Sequence, residues 1–464
     1  MDSHFQIKRL YLLISLPIIC LNFYSCEDKK PRIKIQEIVV SAPFEMPKIK
    51  IPDFSDCPKI SILEFGAIIG DKEKNAIAIE KAIEKVNKIG GGTVVIPEGE
   101  WITKKIHFKS NVNLHLNKGA VLLFSENPVD YLPAVHTTWE GMECYNYSPL
   151  IYAYQCKNIA ITGKGEIKAK MDVWKKWFAR PTAHMENLKR LYMLASNNSP
   201  VSDRQMVNDS ANFRPQLIQF NRSENILLEG ITITNSPFWT IHPYLSKNIV
   251  IRDLNVYAHG HNNDGVDPEM SQNMLIENCV FDQGDDAIAV KSGRNQDAWR
   301  LNTPSKNIVI RNCTVKNGHQ LLAIGSELSG GIENIFMDNC NVLEGAKMFH
   351  LLFIKTNERR GGFVNGIYMS NITSGNVDKG ILGIETDVLY QWRDLVPTIE
   401  RKLTPIKNVN LENIKVSNVE FISRILGQEE LPIQDINLKN ITADSIKIKK
   451  HIHEFVLNFN ENKK

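Results

Sequence analysis

The sequence predicts an all-β protein, a right-handed parallel β-helix closed at its N-terminal end by a helix. Three observations predict it. A short strand-like segment returns along the chain, each copy carries an apolar residue at a fixed place, and one amphipathic segment precedes the first copies.

The returning segment is clearest from residue 225 onward. "NILLEGITI" starts at Asn225, "NIVIRDLNV" at Asn248, "NMLIENCVF" at Asn273, "NIVIRNCTV" at Asn307 and "NIFMDNCNV" at Asn334. These starts are 23, 25, 34 and 27 residues apart, and further copies start at Gly366, Asn408 and Asp435. Apolar and polar residues alternate within each copy, which is strand periodicity. Six residues after each start stand Ile231, Leu254, Cys279, Cys313, Cys340, Ile372, Ile414 and Ile441, an apolar or cysteine column. Repeats of this length mean a solenoid. Without a leucine-asparagine signature or a helix per repeat, a stack of β-coils about 4.8 Å apart fits better. The column then reads as small side chains stacked inside the coil, and its cysteines as packing groups rather than disulfides. None of the cysteines forms a CxxC, so zinc is not indicated.

A solenoid needs its ends covered. "NAIAIEKAIEKVNKIGGG" supplies a helix, with Asn75 as its cap, Ala76, Ile79, Ile83 and Val86 on one face, and Gly90 to Gly92 as its stop. Residues 168–216 interrupt the repeat, with Trp174, Trp177 and a helical stretch around 183–195, and form either a wall beside a groove or a packed loop.

The chain divides into an export signal over 1–26, a polar tether over 27–56 and one β-helix domain over 57–464. Lys8 and Arg9 precede an apolar stretch too short to span a bilayer, ending at Ser25 and Cys26. Cys26 resembles the lipid-modified cysteine of bacterial lipoproteins, so the protein is expected to be exported, in the periplasm, on the outer membrane through a lipid, or secreted. That anchor is the only membrane contact expected. A formal charge of +3 over 464 residues gives no basis for nucleic-acid binding. A monomer is expected.

The chemistry concentrates around "FDQGDDAIAVKSG", Phe281 to Gly293. Asp285 lies six residues past Cys279, and His319 six past Cys313, so both take the same lateral position on successive coils. Asp264, in "HGHNNDGVD", comes one coil earlier. Asp264, Asp285, Asp286 and His319 are therefore expected on one patch. Crowded carboxylates do not all ionise easily, which leaves a proton donor beside acceptors. An acid and a base flanking one bond equip a glycoside hydrolase, the inverting kind leaving about 6.5–9.5 Å for water. Calcium is the competing use of clustered aspartates. His259 and His261 lack metal-ligand spacing, so neither a metal nor a cofactor is expected. Lys291 follows an apolar run and faces either groove or solvent. Trp239 and His242, one coil before Asp264, line the groove or pack inside.

"NNDGVD", "GDDAIAVKSG", "GHQLLAIGSE" and "FIKTN" resemble, in order and spacing, the NTDG, GDD, GHG and RIK motifs of family-28 glycoside hydrolases, the polygalacturonases. The resemblance runs from "LEFGAIIGD" near residue 63 to about 445. It implies inverting hydrolysis of α-1,4 galacturonide links in pectin, an acidic plant cell-wall polysaccharide. It further implies Asp285 as general acid, Asp264 and Asp286 as the water-activating pair, and His319 as the group that maintains the acid. Lys355 resembles the lysine that binds a substrate carboxylate, Asn262 matches the first position of NTDG, and Tyr390 in "ETDVLYQW" matches a later site tyrosine. Two positions depart from the pattern. Phe353 replaces the arginine of RIK, with Arg359 and Arg360 in "NERRGG" as substitutes or a solvated turn, and Gln320 replaces the second glycine of GHG. A rhamnogalacturonan or decorated galacturonan is the alternative substrate. A calcium-dependent pectate lyase and a non-catalytic sugar-binding β-helix are the alternatives of other classes. Exo action is favoured if the 168–216 insertion closes one end of the groove.

Overall fold

The computed structural model describes residues 33–462 together with Met1. Lys8, Arg9 and Cys26, and with them the export and lipidation readings, lie outside the described residues.

Every repeat becomes one coil, and successive coils pair in parallel. On the first face the register runs Ile159, Ile226, Ile249, Met274, Ile308, Ile335, Ile367, Val409, Ile436, each residue opposite the next. All are buried. A second face aligns Ile167, Ile233, Val256, Phe281, Val315 and Val342. A third aligns Ile151, Ile218, Ile241, Val266, Ile288, Leu322, Leu352 and Leu382. The three columns fill the coil with one continuous apolar core. The expected cysteine column lies inside it: Cys279, Cys313 and Cys340 are buried and free, as are the other cysteines among the described residues.

The asparagines that open the repeats have a structural reason. Asn225, Asn248, Asn273, Asn307, Asn334 and Asn408 all have φ of 56–58°, in the left-handed region, and Gly366 takes φ 73° at the same place. This corner turns the chain onto the first face, and asparagine tolerates it better than other side chains do. The amides stack as well: Asn248 Nδ2 donates to Asn225 Oδ1 at 3.0 Å, and Asn334 Nδ2 to Asn307 Oδ1 at 3.2 Å.

Helix α1 spans Lys72–Lys88 and buries Ala78, Ile79, Ala82, Ile83 and Val86 on the first coils. Its cap is Asp71, whose carboxylate accepts from the Lys74 amide, and not Asn75. Asn75 is buried inside the helix, where Oδ1 accepts from the Ile68 amide and Nδ2 donates to Ile102 O.

The tether reading of 27–56 fails for its described part. Lys34–Ile38 and Ile49–Asp53 pair antiparallel. They lie over Ala160, Leu227, Val250, Leu275 and Val309, an apolar column on the outside of the first face. An outer apolar column needs a cover, and this segment supplies it.

The interruption at 168–216 is packed structure. Helix α2 spans Asp172–Lys176 and helix α3 spans Thr182–Ser196. Leu188, Leu191, Tyr192 and Ala195 of α3 share a second core with Trp139, Phe213, Phe238 and Trp392.

Asn248→Ala removes a ladder bond and the side chain suited to the left-handed corner. It should lower stability by about 1–2 kcal/mol, and Asn248→Gly by less; calorimetric unfolding of the two variants checks the order.

Candidate active site

Alternation on the third face aims every second residue outward. Two outward columns result. One runs Asp267, Ala289, Ala323, Phe353, and the other Glu269, Lys291, Gly325, Lys355. The alanines leave an open floor, and the lysines rise from one column. The turns that enter this face carry Asp264, Asp285 and Asp286, and His319. A Cβ at Gly284 would sit 2.5 Å from the Gly260 amide nitrogen, so glycine there lets the two turns stack. Stacking is direct: His319 N donates to Asp285 O at 2.8 Å and Gly265 N to Asp286 O at 3.0 Å. The glycine before the paired aspartates is thus a packing requirement.

A cleft of about 520 Å³ gathers the acidic turns, lined by Asn262, Asp264, Asp285, Asp286, Lys291, His319, Lys355 and Tyr390 among others. Within it the carboxylates differ in their partners. Asp286 is buried and accepts from Lys355 Nζ at 3.1 Å. Asp264 is buried, accepts from the Asp286 amide at 3.2 Å, and lies 3.6 Å from Lys291 Nζ. Asp285 is part-exposed and has His319 Nδ1 at 3.1 Å. Burial pushes the pKa of Asp264 and Asp286 above the ordinary carboxylate range; Asp285 adds to the rise at Asp264, and the lysines oppose both. The hydrogen bond to Asp285 raises the pKa of His319 against its partial burial. Burial disfavours the charge on Lys291 and Lys355, but the carboxylates more than offset it and raise both.

One donor atom from each of Asp285, Asp286 and His319 lies within 4.8 Å of the others. They could offer three ligands to a metal ion. Two ammonium groups, Lys291 and Lys355, lie beside the neighbouring carboxylates Asp264 and Asp286.

Several residues lie where sequence reading did not place them. Arg359 is buried and faces away from the cleft, donating to Trp392 O, Val396 O and Thr398 Oγ1 at 2.9–3.0 Å. Arg360 likewise donates to Ser326 O and Asn295 Oδ1. Both arginines brace loops, so neither a substrate contact nor a solvated turn describes them. Lys291 faces the cleft, 4.6 Å over the Trp239 ring. Trp239 is both buried and cleft-lining, whereas His242 is sealed in by Glu269 at 2.9 Å and Gln219 at 3.0 Å. His259 contacts Asp282 at 2.6 Å, outside the cleft lining.

Other cleft residues were not anticipated. Asp267 is fully buried beneath the cleft, beside the Asp264 carboxyl and with Lys291 Nζ at 3.5 Å. Burial, then Asp264, push its pKa far up. Glu327 lies 3.6 Å from Lys291 and 2.5 Å from Arg294. Glu140 forms the tip of a hairpin, Val135–Trp139 paired with Met142–Asn146. Its turn residues Glu140 and Gly141 have φ of 42° and 84°. The hairpin lies across the third face beside the cleft: Thr137 Oγ1 donates to Gln219 Oε1 at 3.0 Å and Arg294 N to Gly141 O at 3.0 Å. Arg180, between α2 and α3, reaches the same end. Two alternating runs around Glu-Gly in "VHTTWEGMECYN" were the available signal.

Lys291 is the shared cation for Asp264, Asp267 and Glu327. Lys291→Met should lower stability by about 3–5 kcal/mol, as breaking a buried pair does. Lys379→Met, at a half-exposed pair with Glu420, should cost under ~1 kcal/mol. Urea unfolding of both variants tests the contrast.

Comparison with known proteins shows the family. Residues 202–458, more than half of the chain, match the model for "Glycosyl hydrolases family 28". A "Probable polygalacturonase" of Vitis vinifera is 27% identical over 384 residues, 79% of this chain and 70% of the relative. An "Endo-polygalacturonase" of Pectobacterium carotovorum subsp. carotovorum is 30% identical over 345 residues, 70% of this chain and 74% of the relative. The crystal structure of a hyperthermoactive exopolygalacturonase from Thermotoga maritima superposes with a TM-score of 0.80 at 36% identity, covering 89% of this chain and 94% of that one. The match covers the coils that carry the cleft as well as those that carry only core, and the chain belongs to glycosyl hydrolase family 28.

Proposed function

We propose that the protein hydrolyses α-1,4 galacturonide links of pectin with inversion, and acts from chain ends. The observation that carries this reading is the unequal partnering of three crowded carboxylates. Asp264 and Asp286 each have a lysine, which favours their ionised forms. Asp285 has only His319, and faces the cleft. The Asp285–His319 pair then shares one proton, which Asp285 passes to the glycosidic oxygen as the C–O bond breaks. Asp264 and Asp286 take a proton from a water that attacks the anomeric carbon from the opposite side. His319 keeps the proton available to Asp285. Lys355 and Lys291 hold the acceptors charged, and Lys355 also meets the substrate carboxylate, with Asn262 and Tyr390 on the lining.

Exo action is supported by the hairpin 135–146 and by Arg180, which enclose the end of the cleft nearer the N-terminus. The relatives include both modes: an "Exo-poly-alpha-D-galacturonosidase" of Dickeya chrysanthemi is 28% identical over 69% of this chain and 56% of its own length. The basic flank and apolar stretch before Cys26 support export to where a wall polymer is met, with Cys26 as the site of a lipid anchor.

Asp285→Asn should lower kcat by roughly 10²–10⁴-fold with unchanged unfolding. Proton NMR of the first product should show the inverted anomer, and reducing ends should appear without the ultraviolet absorbance of a lyase product. Near-wild-type turnover in that variant would remove Asp285 from its role. Sugar binding without reducing ends would favour a binding protein.

The pH profile should be a bell. Asp264 and Asp286 must be ionised, and burial raises both, so activity should fall on the acid side at a pH above the ordinary aspartate value of about 4. The Asp285–His319 pair must keep its proton, and Asp285 raises His319, so the alkaline fall should come above about 6.5. His319→Ala should move the alkaline limb down.

A further inference from the structure

The cations that line the cleft are not equally matched. Lys291 lies beside Asp264, Asp267 and Glu327, and Lys355 donates to Asp286 at 3.1 Å. Half-exposed Lys379 pairs with Glu420 at 3.2 Å. Arg294 pairs with Glu327 and, at 3.3 Å, with Glu140. Arg180 differs. Its Nη2 lies 2.6 Å from His261 Nε2, the one side-chain hydrogen bond it makes among the described residues. Its nearest carboxylate is Glu140, 4.0 Å away and already held by Arg294. Arg180 is part-exposed and lines the cleft.

His261 does not meet that charge. A guanidinium only donates, so His261 Nε2 accepts and the imidazole is neutral. Burial, then Arg180 and Arg214, lower the His261 pKa to about 4 and keep it neutral. Arg214 is itself buried, over the Phe178 and Phe238 rings. It donates to Pro237 O, His261 O and Asn262 Oδ1, all uncharged. Burial, then the charge of Arg180, lower its pKa to about 9. This end of the cleft therefore sets Arg180, Arg214 and Arg294 against Glu140 and Glu327. Buried charges are as a rule paired. An anion seated on Arg180 would supply the missing charge, and a carboxylate matches the guanidinium fork in shape.

The position fits a sugar ring near the scissile bond. His261 is three residues before Asp264, in the turn that precedes that of Asp285 and Asp286. Arg180 thus stands on the N-terminal side of the acidic turns. Lys355 and Lys379 stand on the other side, at strands His350–Lys355 and Gly380–Glu385 of later coils. We propose that Arg180 is a second carboxylate anchor, which takes the free carboxylate of a galacturonate ring on the N-terminal side of the scissile bond while Lys355 takes that of a ring on the other side. This rests on the galacturonide reading above and narrows it: the substrate carries free acid groups on both sides of the bond that breaks. Arg180 is then a specificity-determining residue.

The test uses galacturonate trimers in which one ring at a time is a methyl ester, beside the free acid. For the wild-type enzyme two of the mono-esters should be poor substrates, each at least tenfold below the free acid in kcat/KM. Arg180→Met should lower kcat/KM on the free acid at least tenfold; one ester penalty should disappear and the other, set by Lys355, should stay. Arg180→Lys keeps a charge without the fork and should reduce the same penalty at least threefold, a readout that stands if the methionine variant does not fold. A loss in Arg180→Met of equal size on the free acid and on every mono-ester marks a structural role and overturns this inference alone. So does wild-type turnover of the free acid by a folded Arg180→Met protein, or an unchanged penalty in Arg180→Lys. No wild-type turnover of these trimers, or of longer galacturonides, overturns the galacturonide reading and this inference with it.

Discussion

Parallel register between coils is the constraint on which the rest of the structure depends, and the left-handed asparagine corner enforces it. Each corner costs a non-glycine residue about 1–2 kcal/mol in backbone strain, a cost asparagine reduces and its amide bond to the next coil offsets by about 1 kcal/mol. The bond forms only if the next coil starts at the same height. A coil that slipped by one residue would lose its amide partner and turn its apolar column outward. Local conformation and global register thus select the same alignment at every step.

That alignment also creates the electrostatic problem at the site. Register puts the turn of Asp264 directly before that of Asp285 and Asp286, and His319 directly after. The same register puts Lys291 and Lys355 in one outward column, two coils apart, so each reaches a different aspartate. Burial alone would discharge all the acids, and exposure alone would leave them equivalent. Two buried lysines and one part-exposed histidine make them unequal, which is what acid-base chemistry at a single bond requires. Asp267 completes the arrangement as a buried carboxyl that shares Lys291 with Asp264 and Glu327.

Much of this was legible in the sequence because it is periodic. The interior columns follow from alternation, and the convergence of Asp285 and His319 from equal offsets to Cys279 and Cys313. The asparagine starts were visible as a marker of register, but their backbone conformation was not. Leu227, Val250, Leu275 and Val309 also repeat, and an apolar residue facing out of a coil is a signal that something covers it; that cover is the segment read as a tether. What periodicity does not encode is long-range placement. Nothing local to "NERRGG" says that Arg359 will find the carbonyls of Trp392 and Val396 more than thirty residues away. The Glu-Gly turn of the hairpin is a weaker signal than Asn-Gly or Asp-Gly, and its position across the third face depends on contacts with Gln219 and Arg294.

Non-periodic parts of the chain therefore set what the periodic parts can be used for. The coils alone would present an open groove running the length of the third face, with the acidic turns partway along it. The hairpin covers that face at Gln219 and Glu269, and α3 supports it through Trp139 and the core they share. The hairpin thereby adds Glu140 to the lining of the cleft that holds the acidic turns. Past the acidic turns, Phe353 and Gln320 stand where the family motifs carry arginine and glycine, and the Phe353 ring stacks on His350, which contacts Gln320. The acidic turns hold their geometry through Lys291, Lys355 and the coil backbone. Reaction type and substrate choice are thus written in different parts of the sequence, and insertion or single substitution can alter the second while leaving the first in place.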